Sequence, residues 1–159
     1  MLRISKLTDY ATVLLAELSR RPDACVSASL LAESTGLEMP TVSKVLKMLA
    51  KAGVVNSLRG VNGGYRLAKR PSDITVAAIV RAMEGPIALT ECALEPGLCS
   101  YESNCHLRGH WHQIGQAVEG ALENLSLADM AGTDSGRIAI RTVDGARAAA
   151  KIHHEKRTA

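Results

Sequence analysis

The segment Gly60-Val61-Asn62-Gly63-Gly64 constrains this fold more than any other stretch of the chain. Three glycines in five residues end any helix and supply the positive-φ positions of a tight turn. The flanks, Val54 to Arg59 and Tyr65-Arg66-Leu67, then read as the arms of an antiparallel hairpin spanning about 54–67. What precedes the hairpin is helical. Leu7, Ala11, Leu14, Leu15 and Leu18 recur at helical spacing between Ser5 and Arg20, and Arg21-Pro22-Asp23 follows. Ser27 is a good N-cap for a short helix that ends at Gly36. A third helix starts near Pro40, turns Val42, Val45, Leu46 and Leu49 to one face, and stops at Gly53. The expected fold is mainly α with a small β-hairpin wing: a winged helix-turn-helix.

The opposite face of the third helix carries Thr41, Ser43, Lys44, Lys47 and Lys51. A lysine-bearing helix face is, by itself, most simply a solvated one. The charge distribution decides otherwise. Residues 38–70 hold seven Lys or Arg against Glu38 alone, whereas residues 71–131 hold two against eight acids. A cation confined to the helix-turn-helix and hairpin is a local nucleic-acid footprint. The candidate contacts to double-stranded DNA are Glu38, Thr41, Ser43, Lys44 and Lys47 on the helix, and Arg59, Asn62, Gly63, Tyr65 and Arg66 on the wing. Phenylalanine is absent and aromatic residues total 3%, which argues against stacking-based recognition of RNA or single strands. No nucleotide-binding glycine motif or catalytic triad is present, so an enzyme is not expected. No stretch approaches ~20 apolar residues, and the expected location is cytoplasmic.

A fourth helix follows Pro71-Ser72-Asp73 and ends at Gly85-Pro86. Beyond it, Cys92, Cys99 and Cys105 lie in one loop at the spacing C-x6-C-x5-C. Structural zinc uses closer cysteine pairs. The wider gaps suit an iron–sulfur cluster, whose iron atoms present separated thiolate sites; zinc and a thiol switch rank below it. Cys25, between two helices, reads as a small buried apolar residue. His106 and His110 stand one helical turn apart after Cys105 and are candidate further ligands. Leu107, Trp111, Ile114, Val118, Ala121 and Leu125 then alternate in steps of four and three, the seam spacing of a helix that pairs with its own copy. The expected organisation is a DNA-binding domain over 1–86, a cysteine-rich loop over 87–105, a dimerisation helix and short C-terminal turn over 106–131, and a mobile basic tail over 132–159.

Three stretches carry a resemblance. Ser5-Lys6-Leu7-Thr8-Asp9-Tyr10-Ala11, Leu37-Glu38-Met39-Pro40-Thr41-Val42-Ser43-Lys44-Val45-Leu46 and Arg59-Gly60-Val61-Asn62-Gly63-Gly64-Tyr65-Arg66-Leu67 are similar to the Rrf2 family of winged-helix regulators. Pro86-Ile87-Ala88-Leu89-Thr90-Glu91-Cys92 resembles its subgroup regulating SUF iron–sulfur assembly. The resemblance implies a homodimer on a pseudo-palindromic operator, controlled through a cluster expected to be 2Fe-2S rather than 4Fe-4S. One branch of the family completes its site with a histidine three residues after the third cysteine, where this chain has Arg108. Another takes an aspartate from helix 1 of the partner subunit, and Asp9 matches that position. Asp9 from the partner is therefore the first candidate for fourth ligand, and His106 or His110 the second. The competing expectations are a cluster-free regulator using zinc or a thiol switch, and an iron–sulfur carrier or redox protein. The latter leaves the cationic segment 38–70 unexplained.

Overall fold

The computed structural model describes residues 4–60 and 63–132. Helix α1 (Lys6–Ser19) is capped by the Ser5 hydroxyl, which accepts the Thr8 N–H at 3.3 Å. Its Ala11, Leu14, Leu15 and Leu18 are buried, and α1 packs against every other helix of the DNA-binding body. Helix α2 (Ala28–Thr35) runs from the Ser27 cap to Gly36, whose φ of 70° closes it in the left-handed region. Helix α3 (Met39–Lys51) buries Val42, Val45, Leu46 and Leu49 against α1 and α2, the face its sequence spacing predicts. Full burial of four such side chains stabilises by about 1.5–3 kcal/mol each before entropy is counted.

Strands β1 (Val55–Leu58) and β2 (Gly64–Leu67) form the wing, with Val55 opposite Leu67 and Leu58 opposite Gly64. The wing has a third partner that periodicity does not reveal. Val26 donates its N–H to Tyr65 O at 2.9 Å and accepts the Tyr65 N–H at 2.8 Å. This bridge sews β2 to the segment just ahead of α2. A Cβ on Gly64 would lie 2.6 Å from Val26 C and 2.9 Å from Ser27 N, so only glycine permits the approach.

Helix α4 (Val76–Glu84) follows Pro71-Ser72-Asp73 as expected, and those residues form a separate 3-10 turn ahead of it. Thr75 caps α4 by accepting the Ala78 N–H, while Ile74 O accepts the Leu127 N–H at 2.8 Å. The loop over 87–105 is more structured than expected. It contains the short helix α5 (Glu91–Leu94) and a 3-10 turn at Glu102–Asn104. Helix α6 (Arg108–Glu123) leaves the body and touches it mainly at α4 and α5. Helix α7 (Leu127–Ala131), held by a Ser126–Asp129 capping box, returns to α1 and buries Leu127 completely. Cys25 is half-buried rather than buried, because Val26 takes the inward position at this bridge. The basic tail expected over 132–159 lies outside the described residues apart from Gly132.

Candidate functional site

Burial of the apolar face of α3 fixes which side of the helix meets solvent. Lys44 and Lys47 are exposed one turn apart, and Thr41 and Ser43 are half-buried beside them. Glu38 is exposed at the N-cap position and makes no capping bond with its side chain. On the wing, Arg59 is exposed at the tip and Arg66 faces away from the buried Leu67. Tyr65 is half-buried against the core, and both its backbone groups are used by Val26. Gly63 donates to Gly60 O at 2.9 Å, and a Cβ there would clash with the backbone of Leu58 and Gly60. The turn therefore requires glycine at 63 whatever the wing contacts. Asn62 lies outside the described residues.

The two charge halves differ in their pairing, apart from Arg70 at their boundary, which pairs with Asp73 at 2.8 Å. Among the described residues, Lys44, Lys47, Lys51, Arg59 and Arg66 enter no salt bridge. In the acidic half both arginines are engaged. Arg81 pairs with Glu119 at 3.0 Å and with Glu123, and Arg108 pairs with Glu102 at 2.9 Å. Unpaired, solvated cations arranged over one helix face and one hairpin are poised to replace the counterions of a phosphate backbone.

Cys92 lies in α5, Cys99 in the turn after it, and Cys105 directly after the 3-10 turn; all three are free and half-buried. The Cys92 thiol shares a hydrogen bond with Thr90 Oγ1 at 3.3 Å. Glu102 fastens the loop by accepting the Gly97 N–H at 2.6 Å while pairing with Arg108. Arg108 is thus tied to the loop. Three thiols in one loop are the donor chemistry of an iron–sulfur cluster. Among the described residues, however, no three His, Cys, Asp or Glu side chains gather as a metal-holding group. His106 and His110 are exposed. Asp9 is exposed in the first turn of α1, beside a groove of about 360 Å³ formed with Ile4, Val76, Ile79 and Met130. Sequence reading passed over His112, which shares a cavity of about 400 Å³ with Cys92 and Arg108.

A helix-turn-helix with an exposed cationic recognition face, followed at once by an arginine-bearing wing, defines a winged-helix DNA-binding transcription regulator. The chain belongs to the Rrf2 family, whose model, described as iron-dependent transcriptional regulator, matches residues 4–133. It is 32% identical over 131 residues to the HTH-type transcriptional regulator NsrR of Halalkalibacterium halodurans, covering 81% of this chain and 90% of that one. The solved structure of CymR, the global cysteine regulator of B. subtilis, superposes with a TM-score of 0.64 at 30% identity, covering 82% of this chain and 97% of that one. IscR of T. potens superposes with a TM-score of 0.58 at 31% identity, covering 81% and 85%. Among the described residues no helix is long and apolar enough to cross a membrane.

Proposed function

We propose that this Rrf2-family regulator binds a pseudo-palindromic operator as a homodimer and senses iron–sulfur status through Cys92, Cys99 and Cys105, so controlling iron–sulfur assembly genes. The observation that carries the DNA half is the unpaired cationic surface of α3 and the wing. Lys44 and Lys47 meet phosphates, Thr41 and Ser43 reach base edges or phosphates, and Glu38 accepts from a cytosine amino group. Arg59 reaches a phosphate or the minor groove from the wing tip.

Dimerisation runs through α6. Leu107, Trp111 and Ile114 on its seam are 58%, 42% and 46% exposed, an apolar stripe that a second copy would cover. The cysteine loop and α6 are then neighbours of the subunit interface. Cys92, Cys99 and Cys105 would hold the cluster, with Asp9 of the partner subunit as fourth ligand and His106 or His110 as the alternatives. When bound, a cluster supplies a redox-active centre whose state follows iron, oxygen or nitric oxide. Asp9 lies on the helix that packs on α2 and α3, so a restraint on it bears on the spacing of the two recognition helices.

Anaerobic purification of the wild type beside Asp9→Ala tests the reading. Iron and acid-labile sulfide in stoichiometric amount, with a spectrum altered in Asp9→Ala, support it. A colourless zinc protein refutes the cluster. A thiol switch is the second reading, favoured by the likeness to the cysteine regulator of B. subtilis. It predicts a colourless protein whose DNA affinity changes reversibly with oxidation.

A further inference from the structure

We infer that Glu84 is a positioning residue that passes the state of the cysteine loop to the helix-turn-helix. This rests on the reading that the loop is the sensor. Glu84 is the last residue of α4, and Gly85, with φ 88°, turns the chain into the loop that leads to Cys92. Glu84 Oε1 accepts the Ser5 N–H at 3.0 Å and the Thr8 hydroxyl. Ser5 is the N-cap of α1, and Thr8 is 2% exposed within the core. One turn earlier on α4, Arg81 holds Glu119 and Glu123 of α6. The final turn of α4 therefore grips the DNA-binding body with one side chain and α6 with another, and the cysteine loop begins at its end.

Two features make this turn a coupling element rather than a passive brace. Helix α1 already has its own cap, because Ser5 Oγ accepts the Thr8 N–H. The contacts with Glu84 thus join parts of the chain 76 and 79 residues apart rather than completing α1. Beside the turn, a cavity of about 470 Å³ lies between residues 85–88 and α6, with Gly115 and Gln116 on its far wall, and gives the turn room to shift. Hydrogen bonds weaken steeply as distance and angle depart from their optimum. A shift of Gly85 that drags Glu84 must therefore reset the Ser5 and Thr8 contacts and, through α1, the support of α2 and α3.

The test sets the state of the loop without requiring a cluster. In a Cys25→Ser parent, the loop thiols are left free or blocked with N-ethylmaleimide, and affinity for promoter DNA of the protein's own gene is measured in each state. The parent's affinity is expected to change by roughly ten-fold on blocking, within the range typical of coupled sites. In Glu84→Ala the ratio falls below about two-fold, while Glu84→Gln, which keeps the acceptor oxygen, retains it. Hydrogen exchange at the amides of residues 5–9 changes on blocking in the parent and not in Glu84→Ala. Should Glu84→Ala not fold, Thr8→Val removes the other half of the contact and carries the same expectation. A ratio in these variants equal to the parent's overturns the role of Glu84. A parent that responds neither to blocking nor to reconstitution with iron and sulfide overturns the sensor reading itself.

Discussion

Replacing Gly64 by alanine tests whether the wing is seated by its bridge to Val26. The added methyl would lie 2.6 Å from Val26 C and 2.9 Å from Ser27 N, and both obstacles are backbone. Neither can rotate away, so the strands must separate. The two hydrogen bonds between Val26 and Tyr65, at 2.9 and 2.8 Å, are then lost or stretched. At about 1 kcal/mol each, with residual overpacking, the expected destabilisation is about 2–3 kcal/mol. Urea unfolding should show a lower midpoint at unchanged m-value, and Tm should fall by roughly 5–10 °C. Protomer concentration is held fixed, because the proposed dimer would contribute to apparent stability. Gly115→Ala is the matched control: a Cβ there meets nothing within 4 Å. Inside a helix the same exchange should stabilise by about 0.5–1 kcal/mol. The two variants are chemically identical and should move in opposite directions. An unfolding midpoint for Gly64→Ala at or above wild type refutes the argument.

Arg59→Ala should weaken operator binding and lower the slope of log affinity against log salt by about 0.9, the contribution of one phosphate contact; an unchanged slope removes Arg59 from the interface. Ile114→Glu, placed in the exposed seam of α6, should convert the proposed dimer to monomer in sedimentation while leaving the helical circular dichroism of the body intact. Hydrogen bonds from Ser5 and then Thr8 hold the Glu84 carboxyl below its ordinary value of 4.5. Its contribution to stability is therefore complete above that value and is lost as pH falls through the lower folded-state value. Wild type should accordingly lose stability more steeply than Glu84→Gln on acidification below about pH 4.5, as followed by urea midpoints. Glu102→Ala frees both Gly97 and Arg108, and a pair with one half-exposed partner holds a loop by about 0.5–1 kcal/mol. Cys99 and Cys105 should then be alkylated about two- to five-fold faster, and equal rates would show that Glu102 does not order the loop.

The body of this fold was legible because its signals are local. Ser5 and Ser27 each cap a helix within three residues of themselves, and Gly36 ends α2 by its own conformation. The stripe Val42, Val45, Leu46 and Leu49 announces the buried face of α3 without reference to what covers it. What escaped sequence reading is long-range. Nothing near Val26 indicates a partner at Tyr65, and nothing near Glu84 indicates Ser5 or Thr8. The four-residue helix α5 is too short to show a period. Cys92, Cys99 and Cys105 could be singled out by residue type, but in the proposed site their mutual placement would depend on what they bind and on which subunit completes the set.

The return of the chain at α7 has an evolutionary consequence. Residues 85–125 leave from the C-terminal end of α4 and come back to its N-terminal end, where Leu125 O accepts the Val76 N–H at 2.8 Å and Ser126 pairs with Thr75. The nine residues of α4 separate those two points by only about 13 Å. The cysteine loop and α6 are therefore, in topological terms, an insertion with both ends moored to one helix. A lineage can lengthen, shorten or rewire that excursion, and change its chemistry, while the helix-turn-helix and wing keep every contact they make with one another.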